Sequence, residues 1–391
     1  MKPFAFVGLA LCSAGLYAAD NDLHLPQPYA TPSSRNFSKV IPRPAGAELK
    51  LPAGFVVEEY LSGFERPRTM LLGPSKELLI ADSAMGTSGA VYVVPAGSKE
   101  KKKLITGLDR PFGLAFWKDY LYVGEPESIK RYKYDAKAMT AGPSEEVVSL
   151  KGFGKGHNSR VILFDRKGEK MYIGIGSESN VSTGEDPTRA AINRYNPDGS
   201  GHEIFASGTR NPTSLAWYPG TDTLWAGVEE RDELGDDLVP EYFTHIQQGG
   251  FYGWPYAYLG HNEDPRHKGD RPDLVAKTIT PDVILRPHAS LTGFTFYTGK
   301  QFPKGYQGGA FMAWHGSWNR SKRLGYEVAF VPFAKGKPTG PARDFMTGWM
   351  LSEDNPEVWG RPVAVMEMTD GSLLVSDDGG KKIWRISYKG K

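Results

Sequence analysis

The sequence predicts an all-β fold, a six-bladed β-propeller of four-stranded antiparallel blades. Three observations carry that expectation: a recurring segment, the spacing of its copies, and a composition rich in turn formers and aromatic residues. Four copies begin with arginine: Arg66–Leu72 (RPRTMLL), Arg110–Phe116 (RPFGLAF), Arg210–Trp217 (RNPTSLAW) and Arg361–Met368 (RPVAVMEM). Two more keep the frame with histidine first, His157–Phe164 (HNSRVILF) and His288–Phe296 (HASLTGFTF). Each is followed by a second apolar run, beginning at Leu78, Leu121, Met171, Leu224, Ala310 and Leu373.

The starts at 66, 110, 157, 210, 288 and 361 are 44, 47, 53, 78 and 73 residues apart. The first three spacings are those of a four-stranded blade, and the last two require insertions. The longer insertion, 231–285, is polar and is expected to form loops on one face. Phe55–Tyr60 and Lys382–Tyr388 both read as strands, so the two ends of the repeat region are expected to pair and close the ring, which removes exposed sheet edges. The 46 glycines and 29 prolines suit many short strands joined by turns, and 19 Tyr, 19 Phe and 9 Trp suit β structure.

The flanks divide the chain into a signal peptide (1–19), a polar, Pro-rich leader (20–50) that wraps the surface, and the propeller (51–391). Lys2 followed by the apolar run Phe4–Leu11 and the small residues before Asp20 is the pattern of a cleaved secretory signal, which places the mature chain in the periplasm or outside the cell. The run is too short for a stable membrane span. Cys12 is the only cysteine and lies inside this segment. The mature chain therefore has no disulfide, thiol nucleophile, cysteine metal site or CxxCH haem attachment. A formal net charge of +2, with Lys99–Lys103 as a solvated loop, gives no basic tract suited to nucleic acid.

In a propeller the first strand of each blade lines the central channel, so Arg66, Arg110, His157, Arg210, His288 and Arg361 are expected at one mouth. Several guanidiniums aimed at one axis repel one another unless something negative sits among them, and their planar forks suit carboxylates. This points to a small polyanionic ligand, with His157 beside it as a group able to exchange a proton near neutral pH. The alternative is that the arginines pair with loop carboxylates for structural reasons. A second cluster, Glu229–Asp237, places six carboxylates within nine residues. It reads either as a hard-cation loop or as a charged surface loop. Competing functions at this stage are a calcium-dependent propeller lactonase and a non-catalytic ligand-binding propeller.

The chain resembles the glucose/sorbosone dehydrogenase family over roughly 50–388. The resemblance rests on the order of several motifs: His157–Asn158, Arg194–Gly199 (RYNPDG), Gly208–Pro212 (GTRNP), Gly235–Asp237 (GDD), Gly250–Pro255 (GFYGWP) and His315–Arg320 (HGSWNR). The last motif is closer to the sorbosone-dehydrogenase-like branch. The resemblance implies a six-bladed quinoprotein that oxidises a sugar, a sorbosone-like compound or a related aldehyde at C1. Its cofactors would be pyrroloquinoline quinone and calcium, and a separate acceptor would take the electrons. Carried over by position, His157 would be the general base. Arg210, the second catalytic residue, and Asn211 would contact the quinone and stabilise its developing negative charge, Arg361 would hold its carboxylates, and Arg320 would stand in for a family lysine. Arg110 and Tyr252 would also contact the cofactor, Tyr252 with Trp254 packing near it or shaping the mouth. The carbonyls of Arg231 and Asp232 would ligate calcium, and Asp237 would support their loop. Gly156 stands where the soluble glucose dehydrogenases have an aspartate, and Arg231–Asp232 where they have Gly-Pro.

Overall fold

Strict inside–outside alternation fails in the second strand of most repeats, and that failure reveals the packing. Leu78–Asp82, Met171–Ile175, Ala310–Trp314 and Leu373–Asp377 are buried at every residue. A strand buried on both faces has another layer packed against each side. In this computed structural model, which describes residues 24–390, those layers are neighbouring blades. The expected signal segment, with Cys12, lies outside the described residues.

Six small sheets stand around a central axis. Their first strands, Pro67–Leu72, Leu114–Trp117, Arg160–Phe164, Asn211–Trp217, Leu291–Phe296 and Pro362–Glu367, begin just after the six frame positions. Each first strand neighbours the next, and the sixth returns to the first. Among the described residues the apolar side chains divide into six clusters, one in each gap between adjacent blades. In one, Leu79, Val91 and Leu108 of the first blade meet Leu121, Val123 and Tyr132 of the second. The ring is closed as expected: Phe55–Ser62 pairs antiparallel with Lys382–Tyr388 and becomes the outer strand of the sixth blade.

Two expectations need correction. The third blade has five strands, because Gly250–Phe251 adds in parallel to Glu203–Ser207. The segment 231–285 is not loop alone, since it contains Pro240–His245, the third strand of the fourth blade, and the short helix Pro272–Val275. Tyr242 and Phe243 in that strand are fully buried, so the acidic residues before it conceal a strand with an apolar core face.

On the mouth face, the connections between second and third strands are short in the first, second and sixth blades (83–88, 126–127, 378–381). They are long in the third to fifth (176–190, 230–239, 315–326). The leader runs along this taller side. Tyr29 donates its N–H to Leu234 O, the Thr31 hydroxyl accepts from Asp236 N–H, and Lys39–Val40 pairs with Glu357–Val358. The mouth therefore has a high wall on one half of its rim.

Glu327 opens the third strand of the fifth blade, with its carboxyl buried against Arg286, which bridges it to Asp344. Burial, reinforced by Asp344 and opposed by Arg286, pushes its pKa up to about 8. A carboxyl raised in the folded state binds more protons there than in the unfolded chain, so its contribution to stability falls as pH rises from about 4.5 towards 8. Glu327→Gln is therefore expected to flatten the decline in melting temperature between pH 5 and pH 8. An unchanged slope would show that Glu327 does not titrate in that window.

Candidate functional site

The strand starts converge on a mouth cavity with two adjoining lobes of about 380 and 290 Å³. Arg210, His288, Asp232, Glu230 and Trp318 line the first. Arg66, Arg68, Arg110, Asn211 and His315 line the second. Gly156, His157, Glu229 and Ser290 belong to both, which puts His157 at the waist. Arg110 and His288 occupy positive φ (44° and 61°), sparsely populated for non-glycine residues.

His157 is held by its Nδ1, which donates to Ser177 O at 2.9 Å and lies 3.1 Å from Ser177 Oγ. The carbonyl can only accept, so it fixes the proton on Nδ1 and leaves Nε2 with its lone pair. Burial first, and then the Arg210 charge, push the imidazole pKa down to about 3. The result is a neutral base at neutral pH. The Gly156 departure has a steric cause: its φ is +69°, and a Cβ there would lie 2.2 Å from Glu178 O. The aspartate of the related branch has no room, and Ser177 O is the group that orients the ring. A Cβ on Gly176 would likewise sit 2.6 Å from His157 Cβ.

Beneath this histidine, Arg160 is fully buried and donates to four main-chain carbonyls, those of Pro126, Phe153, His157 and Ser159. Among the described residues it has no carboxylate partner, and burial with the repulsion of Arg189 and Arg110 lowers its pKa to about 9. A buried guanidinium spent on carbonyls anchors the loop that carries His157.

Arg66, Arg68, Arg110 and Arg210 are paired and still face the cavity, whereas Arg361, expected to hold the cofactor, lines neither lobe. Arg210 donates to Asn180 O, Glu230 O, Asn180 Oδ1 and Asp232 Oδ2. Arg110 forks onto Asp109. Arg68 meets Asp378 at 2.7 Å, with Arg66 at 3.6 Å from the same carboxylate. His315 Nε2 donates to its other oxygen at 2.8 Å. Against its own burial, Arg68, His315 and Arg361 hold Asp378 well below the usual carboxylate range. Burial and then Arg361 push His315 down to about 4. Arg361 stands behind this group and donates to His315 O. One carboxylate thus serves two guanidiniums and a histidine, while Arg68 Nε is buried without a partner among the described residues. Asn211 donates to Glu229, whose other oxygen meets Ser290 Oγ. Burial raises the pKa of Glu229, and burial with the neighbouring Glu229 raises that of Glu241.

Other expected residues are not brought to the mouth. Tyr252 is fully buried; its hydroxyl donates to His245 O and accepts from Gln247 N–H, so it is a core residue. Trp254 donates to Asn180 O and lines a separate surface cleft. Arg320 binds Asp236 O and Asp237 outside both lobes. Arg231 points away to Asp264 at 2.6 Å. Of the expected calcium set, Asp232 and Asp237 are already engaged by protein groups. Asp232 O already accepts from Asn180 and Arg231, the Asp232 carboxylate is taken by Arg210 and His288, and Asp237 lies on the outer surface. Among the described residues, no three metal-capable side chains form a cluster. Sequence reasoning missed Arg68, Ser177 and Asp378, and it read Glu229 only as the start of an acidic loop. One signal was available: an acidic residue ends the second strand of four blades (Asp82, Glu125, Glu229, Asp377). Asp82 and Asp377 accept the main-chain N–H of Arg66 and Arg361, and Glu125 that of Asp109.

Residues 124–316 match the family described as Glucose / Sorbosone dehydrogenase, and residues 263–389 match one described as TrAA12-like. An uncharacterised protein of Borreliella burgdorferi is 28% identical over 87% of this chain and 91% of its own length. A pyrroloquinoline quinone-dependent pyranose dehydrogenase of Coprinopsis cinerea is 31% identical over 87% of this chain. This chain spans only 54% of the fungal enzyme. The holo form of the fungal enzyme's PQQ domain superimposes with a TM-score of 0.74 at 20% identity, covering 88% of this chain and 98% of that one. A calcium structure of a Trichoderma reesei family AA12 enzyme does so with 0.73 at 19%, covering 90% and 98%. At such identities the likeness speaks for the fold.

The geometry of His157 makes a direct prediction for the cofactor-free protein. Its ring nitrogens should keep their neutral, Nδ1-protonated NMR shifts from pH 8 down to pH 5, because the pKa of about 3 lies far below that window. A midpoint near the ordinary histidine value of about 6.5 would contradict the tautomer and burial argument.

Proposed function

From the premise that this chain belongs to the glucose/sorbosone dehydrogenase family, we propose that it is a pyrroloquinoline quinone-dependent oxidoreductase acting on an aldose or related aldehyde at C1. The observation that carries the reading is a neutral histidine, its free Nε2 in the cavity, beside a lobe lined by three guanidiniums. The quinone is a tricarboxylate, and the second lobe fits it: Arg66, Arg68 and Arg110 supply planar donors, and Arg68 Nε is a buried donor still without an acceptor. A lactonase would have no use for this set of cations.

When bound, pyrroloquinoline quinone supplies the acceptor for the hydride that leaves C1. The chain's own residues do the rest. Arg66, Arg68 and Arg110 would bind the cofactor carboxylates, with Arg361 backing the group through His315. His157 Nε2 would take the proton of the C1 hydroxyl as the C–H bond breaks, so that the carbon is left as a carbonyl. Ser177 O, on Nδ1–H, would steady the charged ring that results, as the third group of a catalytic constellation does. The Arg210 cation, held by four acceptors, would stabilise negative charge developing nearby without having to reorganise. Calcium has no ligands assigned among the described residues, and no step runs through it.

In this reading electrons leave to a separate acceptor. No helix among the described residues is long and apolar enough to cross a membrane. The reading places the mature chain outside the cytoplasm, and intact Lys2 in the native protein's mass spectrum would overturn that placement.

Turnover and cofactor affinity should separate by residue. His157→Ala is expected to lower turnover at saturating quinone by about 10²- to 10⁴-fold, with quinone affinity nearly unchanged. Arg68→Ala removes a charged donor and is expected to weaken quinone binding by about 10- to 100-fold. Steady-state kinetics with added quinone check both. Wild-type-like turnover in His157→Ala would remove the base from the mechanism.

A further inference from the structure

An exposed aromatic plate stands at the rim of the first lobe. Phe37 of the leader stacks on Trp318 with ring centroids 5.3 Å apart and planes 5° from parallel. Phe37 is 66% exposed, while Trp318 lines the cavity. Nothing about core packing requires a phenyl ring there, yet the segment is tightly held. Asn36 N–H donates to Trp318 O at 2.7 Å and Asn36 Nδ2 to Ser321 O at 2.8 Å. The buried Arg323 donates to Asn36 O, Asn36 Oδ1 and Phe37 O. A solvent-facing ring fixed by five hydrogen bonds is pre-organised for contact, which lowers the ordering cost of binding. Beside it, Arg35 lies 3.6 Å from Glu233, a lining residue of the same lobe. The rim therefore offers a flat apolar plate next to a planar donor and a carboxylate.

That combination matches a pyranose ring, which presents a face of C–H groups and an edge of hydroxyls. We propose that Phe37 and Trp318 form an outer subsite for the second sugar unit of an oligosaccharide whose terminal unit enters the cavity. The substrate class is then a carbohydrate of at least two units rather than a free monosaccharide. This deepens the dehydrogenase reading and rests on it for the fate of the terminal unit, but binding at the plate can be tested without turnover.

The test titrates the full-length, quinone-free protein with cellotriose, maltotriose and glucose, followed by tryptophan fluorescence and saturation-transfer NMR. At least one trisaccharide should bind about ten-fold tighter than glucose, and Phe37→Ala should remove about 3- to 10-fold of that preference, the worth of one aromatic contact. Met85→Ala, which alters an exposed side chain on the low side of the rim, should leave the preference unchanged. Equal affinity for trisaccharides and glucose, or a preference that survives Phe37→Ala, overturns the subsite. A dimer of the wild type that Phe37→Ala disperses also overturns it, because the plate would then be a contact between copies. Trisaccharide binding without quinone-dependent turnover would keep the subsite and remove the dehydrogenase reading.

Discussion

The antiparallel pairing of Phe55–Ser62 with Lys382–Tyr388 is the constraint on which the site depends, because it makes the molecule a ring. An open arc of blades would leave a long unpaired edge and no common axis. Closure brings the first strand of the sixth blade beside that of the first. Arg66 and Arg68 thereby come within reach of Asp378, more than 300 residues away in sequence. The inter-blade clusters hold the ring radially, and the acidic residues that end the second strands tie it at the mouth by accepting main-chain N–H groups.

Ring closure has an electrostatic cost, since it gathers like charges. The chain offsets that cost in two ways. Each arginine facing the cavity has an acceptor, whether a carboxylate (Asp109, Asp232, Asp378) or main-chain carbonyls. The two histidines that face the second lobe are kept neutral by burial and by the arginines around them. A neutral imidazole beside a cation-lined lobe is the consequence: burial, and then the cations around it, keep His157 unprotonated.

The repeat frame was legible because a propeller places equivalent positions at equivalent heights, so a motif recurring every 44 to 53 residues is itself a structural measurement. His157 was legible as a histidine in an arginine-led frame that also matches the family motif His157–Asn158. What was hidden depended on which way a side chain points. Tyr252 shares a motif with Trp254 and lies in the core; Arg231 and Asp232 are adjacent in sequence and face opposite sides of their loop. The strand Pro240–His245 was masked by the acidic residues just before it, since polarity averaged over the whole insertion concealed a short apolar stretch. Asp378 and Ser177 were unreadable for another reason: an orienting carbonyl or shared carboxylate has no sequence signature apart from the fold that delivers it.

The tall half of the rim, built from the leader and the long connections of the third to fifth blades, explains why one cavity can combine a cation-lined lobe with an aromatic edge. The central claim is that a tricarboxylate quinone sits in the lobe of Arg66, Arg68 and Arg110 with His157 facing it. A crystal structure of the chain loaded with pyrroloquinoline quinone tests this most directly. The account predicts the quinone in that lobe, its carboxylates on those arginines and His157 Nε2 open towards the substrate space. A quinone bound elsewhere, or one turned so that its carboxylates meet Glu229 and Glu230, would contradict it.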